Sequence, residues 1–120
     1  MIVDDDMRNV YALSTALESE QAEIISAADG KESLEMLKLN PNTQLVLMDI
    51  MMPEMDGYET THYIRTQMPS PLNSVPIMAM TANVIAEEID KCFAVGMNAY
   101  VSKPFTHEDL MDKIKALTRK

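Results

Sequence analysis

The chain has 120 residues, of which 47% are hydrophobic and 24% are charged, as is typical of one globular domain with one core. The net charge of −9, with ten scattered Lys and Arg residues, argues against an independent nucleic-acid-binding role. No apolar run approaches the roughly 20 residues of a membrane-spanning helix. The single cysteine, Cys92, excludes an internal disulfide and fits a reducing cytoplasm. We therefore predict one cytoplasmic domain over residues 1–120.

Short apolar segments alternate with amphipathic segments along the whole chain. The apolar segments predict strands, and the amphipathic segments carry apolar residues three and four positions apart, which predicts helices. In chain order, the predicted elements are a strand at 1–4, a helix at 7–20, a strand at 22–27, a helix at 30–39, a strand at 44–48, a helix at 58–68, a strand at 75–80, a helix at 85–95, a strand at 99–102 and a helix at 107–117. The helix residues expected to face the core are Val10, Leu13, Leu17, Leu34, Leu37, Thr61, Ile64, Met68, Leu110, Ile114 and Leu117.

Capping residues mark several of these helix ends. Asp6 is a plausible N-cap of the first helix, and Thr106 with Asp109 resembles a capping box before the last helix. Gly96 is placed to end the fourth helix.

Strands that alternate with helices indicate right-handed crossovers and a parallel sheet covered on both faces. The near-continuous apolar run at 44–48 agrees, because a central parallel strand is buried on both sides. The predicted fold is a flavodoxin-like (βα)5 three-layer sandwich with the strand order 2-1-3-4-5.

Polar side chains stand where four of the predicted strands end. These residues are Asp4, Asp5, Asp6, Asp49, Thr81 and Lys103. Because ligand sites form outside the carboxyl ends of parallel strands, we expect the six side chains to meet in one crevice. Oxygen ligands at such a site suit Mg²⁺. Asp49 has the geometry of a nucleophile toward phosphorus, which Lys103 would support with its charge and Thr81 with a hydrogen bond.

These residues belong to a pattern that spans essentially the whole chain. It comprises the segments Val-Asp-Asp-Asp at 3–6, Leu-Met-Asp-Ile-Met-Met-Pro-Glu-Met-Asp-Gly at 47–57, Met-Thr-Ala-Asn at 80–83 and Gly-Met-Asn-Ala-Tyr-Val-Ser-Lys-Pro at 96–104. In this order, each at a strand end, they resemble the response-regulator receiver domains of two-component signalling. The residues at positions 6–10, around Asp49 and at positions 82–83 resemble those of receivers in hybrid sensor histidine kinases.

The resemblance implies a role for each site residue. Asp49 would be the phosphoacceptor, with Thr81 and Lys103 holding the phosphoryl group. Asp5 would be the main metal ligand with Asp4 beside it. Asp49 and the backbone carbonyl of Met51 would complete the set of metal ligands. The metal would be Mg²⁺, for which Mn²⁺ could substitute.

The resemblance also implies a switch and a partner. On phosphorylation Thr81 would move toward the phosphoryl oxygen, and Tyr100 would swing inward behind it. The donor would be a histidine kinase or a histidine phosphotransfer domain, and the domain would catalyse its own phosphorylation and slow dephosphorylation. Neither nucleic acid nor membrane would be contacted directly, although the parent chain could be a membrane-bound sensor kinase. The Lys103–Pro104 bond would be cis.

Three departures from the usual receiver pattern stand out. The first strand begins only three residues before the acidic run, which hints at a domain cut from a longer chain. Asn98 replaces the commoner Asp, which looks harmless. Met51 is apolar at the position that flanks the attacking water, with Asn83 across from it, so we hypothesise that Met51 slows hydrolysis of the phosphoryl group.

Three other classes of function stay open on the sequence. In a phosphatase or mutase of the haloacid dehalogenase type, Asp4 and Asp6 would be the nucleophile and the acid, but no second acidic motif follows the fourth strand. A nucleotide- or flavin-binding domain would need a glycine cluster, which the three glycines do not form. A phosphorylation-independent interaction module would not need the acid, threonine and lysine set. The stimulus, the output and the oligomeric state are left open.

Overall fold

Five strands form one parallel sheet in the order β2-β1-β3-β4-β5, which confirms the predicted topology. The computed structural model describes residues 1–18, 23–52, 55–82, 85–103 and 105–118. The strands are β1 (Ile2–Val3), β2 (Ser26–Ala27), β3 (Val46–Asp49), β4 (Ile77–Thr81) and β5 (Ala99–Ser102). The α-helices are α1 (Met7–Glu18), α2 (Gly30–Leu39), α3 (Gly57–Gln67), α4 (Ala86–Ala94) and α5 (His107–Thr118), and a short 3₁₀ helix spans Leu72–Ser74.

The strand boundaries differ from the predicted ones in an informative way. β3 and β4 each extend one residue further than expected, so Asp49 and Thr81 are the last residues of their strands. β2 is shorter than predicted because only Ser26 and Ala27 pair with the short strand β1. Three predictions about the backbone fall outside the described ranges. They are the end of the first helix at residue 20, the start of the second strand at residue 22 and the cis bond between Lys103 and residue 104.

The core consists of two apolar layers, one on each face of the sheet. Leu47 and Met48 show the division, since these neighbours point into different layers. One layer packs against α2, α3 and α4, and the other packs against α1 and α5. All residues of β3 and β4 are buried, as a doubly covered parallel sheet requires. None of the described helices combines the length and the apolarity needed to cross a bilayer.

The predicted caps are present. The Asp6 carboxylate accepts a hydrogen bond from the Arg8 backbone N–H (3.0 Å), and the Thr106 hydroxyl accepts one from the Asp109 N–H (3.1 Å). Gly96 follows α4 with φ of 106°, a left-handed conformation that glycine adopts without strain.

Arg65 fastens the end of α3 to the turn before β5. Its guanidinium donates to the carbonyl oxygen of Gly96 (2.9 Å), to that of Asn73 (3.2 Å) and to Oδ1 of Asn98 (2.9 Å). The same Asn98 oxygen accepts the backbone N–H of Ile77 (2.9 Å), the first residue of β4. Asn98 therefore joins α3 to the sheet, a role that no pattern in the sequence indicates.

Asn98→Ala is expected to lower the free energy of unfolding by about 1–2 kcal/mol, because two donors lose their shared acceptor. Asn98→Asp is expected to raise it by about 0.5 kcal/mol, because a carboxylate faces the half-buried guanidinium. Since the guanidinium favours the ionised form, this gain is present above a pH of about 4 and disappears below it.

Urea unfolding at pH 7 and pH 3 measures both changes. Asn42→Asp, at an exposed turn residue, adds the same charge elsewhere and is expected to leave the stability unchanged at both pH values. An Asn98→Asp variant no more stable than Asn42→Asp at pH 7 would contradict the assignment.

Candidate functional site

The carboxyl ends of β3, β4 and β5 place three polar side chains on one edge of the sheet. In the strand register Asp49 lies opposite Met80, and Thr81 lies opposite Ser102. The backbone N–H of Lys103 then donates to the carbonyl oxygen of Thr81 (2.7 Å), so the ladder fixes the base of the lysine side chain.

The ammonium of Lys103 lies between two buried carboxylates. Its Nζ is 3.1 Å from Oδ1 of Asp49 and 3.5 Å from Oδ2 of Asp4. Asp49 is 5% exposed and Asp4 is 1% exposed, so both ion pairs are largely shielded from water. The structure thus brings together residues from the first, third and fifth strand ends.

Asp4 is held by donors of the protein itself. Its Oδ1 accepts the backbone N–H of Asp6 (2.9 Å), and its Oδ2 accepts the side-chain amide of Asn9 (3.2 Å) besides the ammonium of Lys103. The sequence pattern alone assigns no role to Asn9. Its position in the first turn of a helix that starts next to the acidic run was the available signal.

The side chains of Asp4, Asp5 and Asp49 form an acidic cluster, in which one carboxylate oxygen from each residue lies within 4.8 Å of the other two. Asp5 is exposed, so one side of the cluster is open to solvent. Three carboxylates outnumber the single ammonium, and an oxygen-only donor set with a solvent-facing side fits Mg²⁺, which keeps several of its waters. The donor chemistry therefore suits the metal that the sequence predicted.

The environment of Asp49 disfavours its negative charge. Burial raises the pKa of Asp49 to about 6, and the charge of Asp4 adds to the rise, whereas Lys103 opposes it. The ordinary value is 3.8, so the ionised form costs folding free energy at neutral pH, and this cost disappears as the pH falls from about 6 toward 4. A cation at the cluster would favour the ionised carboxylate, which is the nucleophilic form.

Gly57 lets the loop after β3 return close to Asp49. The Gly57 N–H donates to the carbonyl oxygen of Ile50 (3.0 Å), and a Cβ at Gly57 would lie 2.6 Å from the carbonyl oxygen of Asp49. A side chain at this position would displace the backbone that carries Asp49. The sequence pattern included Gly57 but did not predict this close approach.

The remaining predicted site residues lie around the cluster. Thr81 is 7% exposed at the end of β4. The side chain of Met51 is turned to solvent at 79% exposure, and residue 83, predicted across from it, lies outside the described ranges. Tyr100 is half-buried. Its ring packs edge-on against that of Phe93, with 6.5 Å between the ring centroids, and Nζ of Lys113 lies 4.6 Å from the centroid of the Tyr100 ring.

Asp6 does not join the cluster. Its carboxylate caps α1 and pairs with the exposed guanidinium of Arg8 at 3.2 Å. A nucleophile-and-acid pair of the haloacid dehalogenase type needs both Asp4 and Asp6 in the cleft. The geometry therefore argues against that alternative.

Comparison with known proteins agrees with this geometry. Residues 1–115 match the family model of the response regulator receiver domain. The chain is 38% identical, over its full length, to half of the transcriptional regulatory protein CpxR homolog of Haemophilus influenzae. It is also 36% identical, over 95% of its length, to 13% of Probable histidine kinase 3 from Oryza sativa subsp. japonica. The chain thus spans half or less of these curated relatives.

Among solved structures, a similar one is the receiver domain of the sensor histidine kinase PA1611 from Pseudomonas aeruginosa PAO1. The TM-score is 0.88 at 29% identity, covering 99% of this chain and 95% of the other. That protein was crystallised with a magnesium ion coordinated in its active-site cleft. With a family match over nearly all of its residues and a sheet order that agrees, the chain belongs to the response regulator receiver domains of two-component signalling.

Proposed function

We propose that Asp49 accepts a phosphoryl group from a phosphohistidine of a histidine kinase or a histidine phosphotransfer domain, in a reaction that requires Mg²⁺. Residues 1–120 would act as one receiver domain. The observation that carries the proposal is the position of the Lys103 ammonium, 3.1 Å from an Asp49 oxygen beside a cluster of three carboxylates.

In the proposed transfer, a carboxylate oxygen of Asp49 forms a bond to phosphorus while the bond from phosphorus to the histidine nitrogen breaks. The electron pair of that bond stays on the imidazole, which takes up a proton, and Asp49 becomes an acyl phosphate. Lys103 already touches Asp49 and can turn its ammonium to the incoming phosphoryl oxygens. Thr81, at the end of the neighbouring strand, would donate its hydroxyl to another oxygen.

Asp5, Asp49 and the backbone carbonyl of Met51 would hold the cation directly, with Mn²⁺ able to replace Mg²⁺. Asp4 would act from behind them, because its oxygens already accept hydrogen bonds from Asp6, Asn9 and Lys103. When bound, the cation supplies positive charge to the phosphoryl oxygens. The magnesium in the cleft of the Pseudomonas relative supports a cation at this place in the fold.

Phosphorylation would then shift the population between two conformers. Thr81 would move toward the phosphoryl group, and Tyr100 would turn inward from its half-buried position next to Phe93 and Lys113. The surface of α4, β5 and α5 would change as a result and carry the signal to the next protein.

The parent of this domain is proposed to be a hybrid sensor histidine kinase in which the receiver lies in the cytoplasm. The rice kinase supports this origin, whereas the Haemophilus regulator shows that a similar receiver also occurs in a transcriptional regulatory protein. The coding sequence on either side decides between the two. A histidine kinase core upstream is the expected finding.

Incubation with acetyl phosphate and Mg²⁺ is expected to add the mass of one phosphoryl group to the intact chain. Asp49→Asn and excess EDTA should each abolish the gain, because one removes the nucleophile and the other the cation. The matched control is Asp56→Asn, which removes the capping carboxylate of α3 and should still be phosphorylated. Phosphorylation that persists in Asp49→Asn, or maps to Asp4, would refute the proposal.

Met51→Asn is expected to shorten the lifetime of the phosphoryl group several-fold, because an amide can orient the attacking water where the exposed thioether cannot. The decay of the phosphorylated mass after removal of the donor measures this. Leu39→Asn, at a position that is similarly exposed at 75%, places the same amide away from the site and should leave the lifetime unchanged. An unchanged lifetime in Met51→Asn would end the hypothesis.

Asp49→Asn is expected to stabilise the metal-free protein at pH 7.5 by about 1–3 kcal/mol, because it removes one of two buried carboxylates that share a single ammonium. Mg²⁺ at about ten times its Kd should add about 1.4 kcal/mol to the wild type and almost nothing to the variant. Thermal unfolding in EDTA and in MgCl₂ gives both values. A variant less stable than the wild type in EDTA would contradict this account of the pocket.

A further inference from the structure

Helix α4 is held to the rest of the domain by few contacts. Of its nine residues, Cys92 alone is buried, and the N-cap residue Ile85 makes no side-chain capping hydrogen bond. Two large apolar side chains at this helix, Ile85 and Phe93, are 52% and 47% exposed. A helix with so little buried surface can change position at a small cost in free energy, and each contact that holds it has a large influence.

Tyr58 of α3 supplies several of those contacts. Its hydroxyl donates to the carboxylate of Glu88, and the ammonium of Lys91 lies 4.3 Å from the centre of its ring. Tyr58 is 6% exposed, lies in the same apolar layer as Cys92 and interacts with the side chain of that cysteine. We call the contacts of Tyr58 with Glu88, Lys91 and Cys92 the α3–α4 latch.

The latch is connected to the proposed phosphoryl acceptor through the backbone of α3. Tyr58 directly follows Gly57, which approaches the carbonyl oxygen of Asp49 so closely that a Cβ would stand 2.6 Å from it. The Gly57 N–H also bonds the carbonyl oxygen of Ile50, the residue after Asp49. A displacement of the Asp49 backbone is therefore passed to Tyr58 through one tightly packed residue.

We propose that Tyr58 is a positioning residue that couples the phosphoryl site to α4, because its latch holds the helix in the resting conformer. This rests on the proposed function of Asp49. When the site takes up a phosphoryl group, the latch opens and α4 is released. Coupling is reciprocal, so weakening the latch makes the site bind a phosphoryl group more tightly.

The chemistry of Tyr58 suits a permanent contact. Burial raises the pKa of Tyr58 above its usual range, and the hydrogen bond to Glu88 acts in the same direction. The hydroxyl therefore stays protonated and able to donate at any physiological pH.

The test is the affinity for beryllofluoride, a phosphoryl mimic, in the presence of Mg²⁺, followed by ¹⁹F NMR on the whole chain. Tyr58→Phe keeps the ring but removes the donor to Glu88, and it should bind beryllofluoride about fivefold more tightly than the wild type. Hydrogen exchange of the metal-free variant should be faster at residues 86–94 and unchanged at 107–118. A merely structural loss would weaken the binding instead.

Tyr63→Phe is the matched control, since Tyr63 lies on the same helix. Its hydroxyl donates no hydrogen bond to any residue within the described ranges. It should match the wild type in both measurements. Glu88→Gln weakens the latch from the side of α4 at a half-exposed position, and it decides the question if Tyr58→Phe does not fold. It should also bind the mimic more tightly.

If folded Tyr58→Phe binds beryllofluoride as tightly as the wild type or more weakly, the latch is overturned and the proposed function of Asp49 stays intact. If only Glu88→Gln folds, the same result in that variant overturns the latch. A wild-type chain that binds no beryllofluoride and gains no phosphoryl mass overturns the proposed function itself. The two failures are therefore distinguishable.

Discussion

The ammonium of Lys103 between two buried carboxylates is the interaction on which the rest of the site depends. Asp4 and Asp49 could not both be ionised inside the protein without a positive charge between them, because each lone charge would be expensive to bury. One ammonium does not balance the three carboxylates of the cluster. Burial raises the pKa of Asp49, and the charge of Asp4 adds to the rise. The excess negative charge of the cluster also makes the pocket suitable for a divalent cation.

The order of the strands makes this interaction possible. Lys103 follows β5, whereas Asp49 ends β3, with β4 between them. Neighbouring strands are about 4.8 Å apart, so the two backbones are separated by about 10 Å, and only a long side chain can cross that gap. The hydrogen bond from the Lys103 N–H to Thr81 fixes where the lysine side chain starts. The intervening strand therefore both separates and aligns the two charged groups.

The sequence predicted what is encoded locally and missed what depends on distant contacts. Alternating strands and helices fixed the sheet order, and polar residues at strand ends indicated one crevice, because parallel strands all end at the same edge. By contrast, the hydrogen bond between Arg65 and Asn98 joins residues that are 33 positions apart in the sequence. The hydrogen bond between Tyr58 and Glu88 joins residues that are 30 positions apart. No periodicity reports such pairs. Asn98, which looked harmless in the sequence, is an acceptor for two donors.

The domain combines a rigid centre with one weakly held helix, and this contrast limits how a signal can leave the site. β3 and β4 are buried throughout, so moving either strand would disrupt two apolar layers at once. α4 has one buried residue, and displacing it disturbs much less packing. A small change at Asp49 is therefore expected to leave the sheet in place and to be expressed where the resistance is least, at α4. In the proposed mechanism, Gly57 and Tyr58 connect the two, and they would matter as much to signalling as the residues proposed to contact the phosphoryl group.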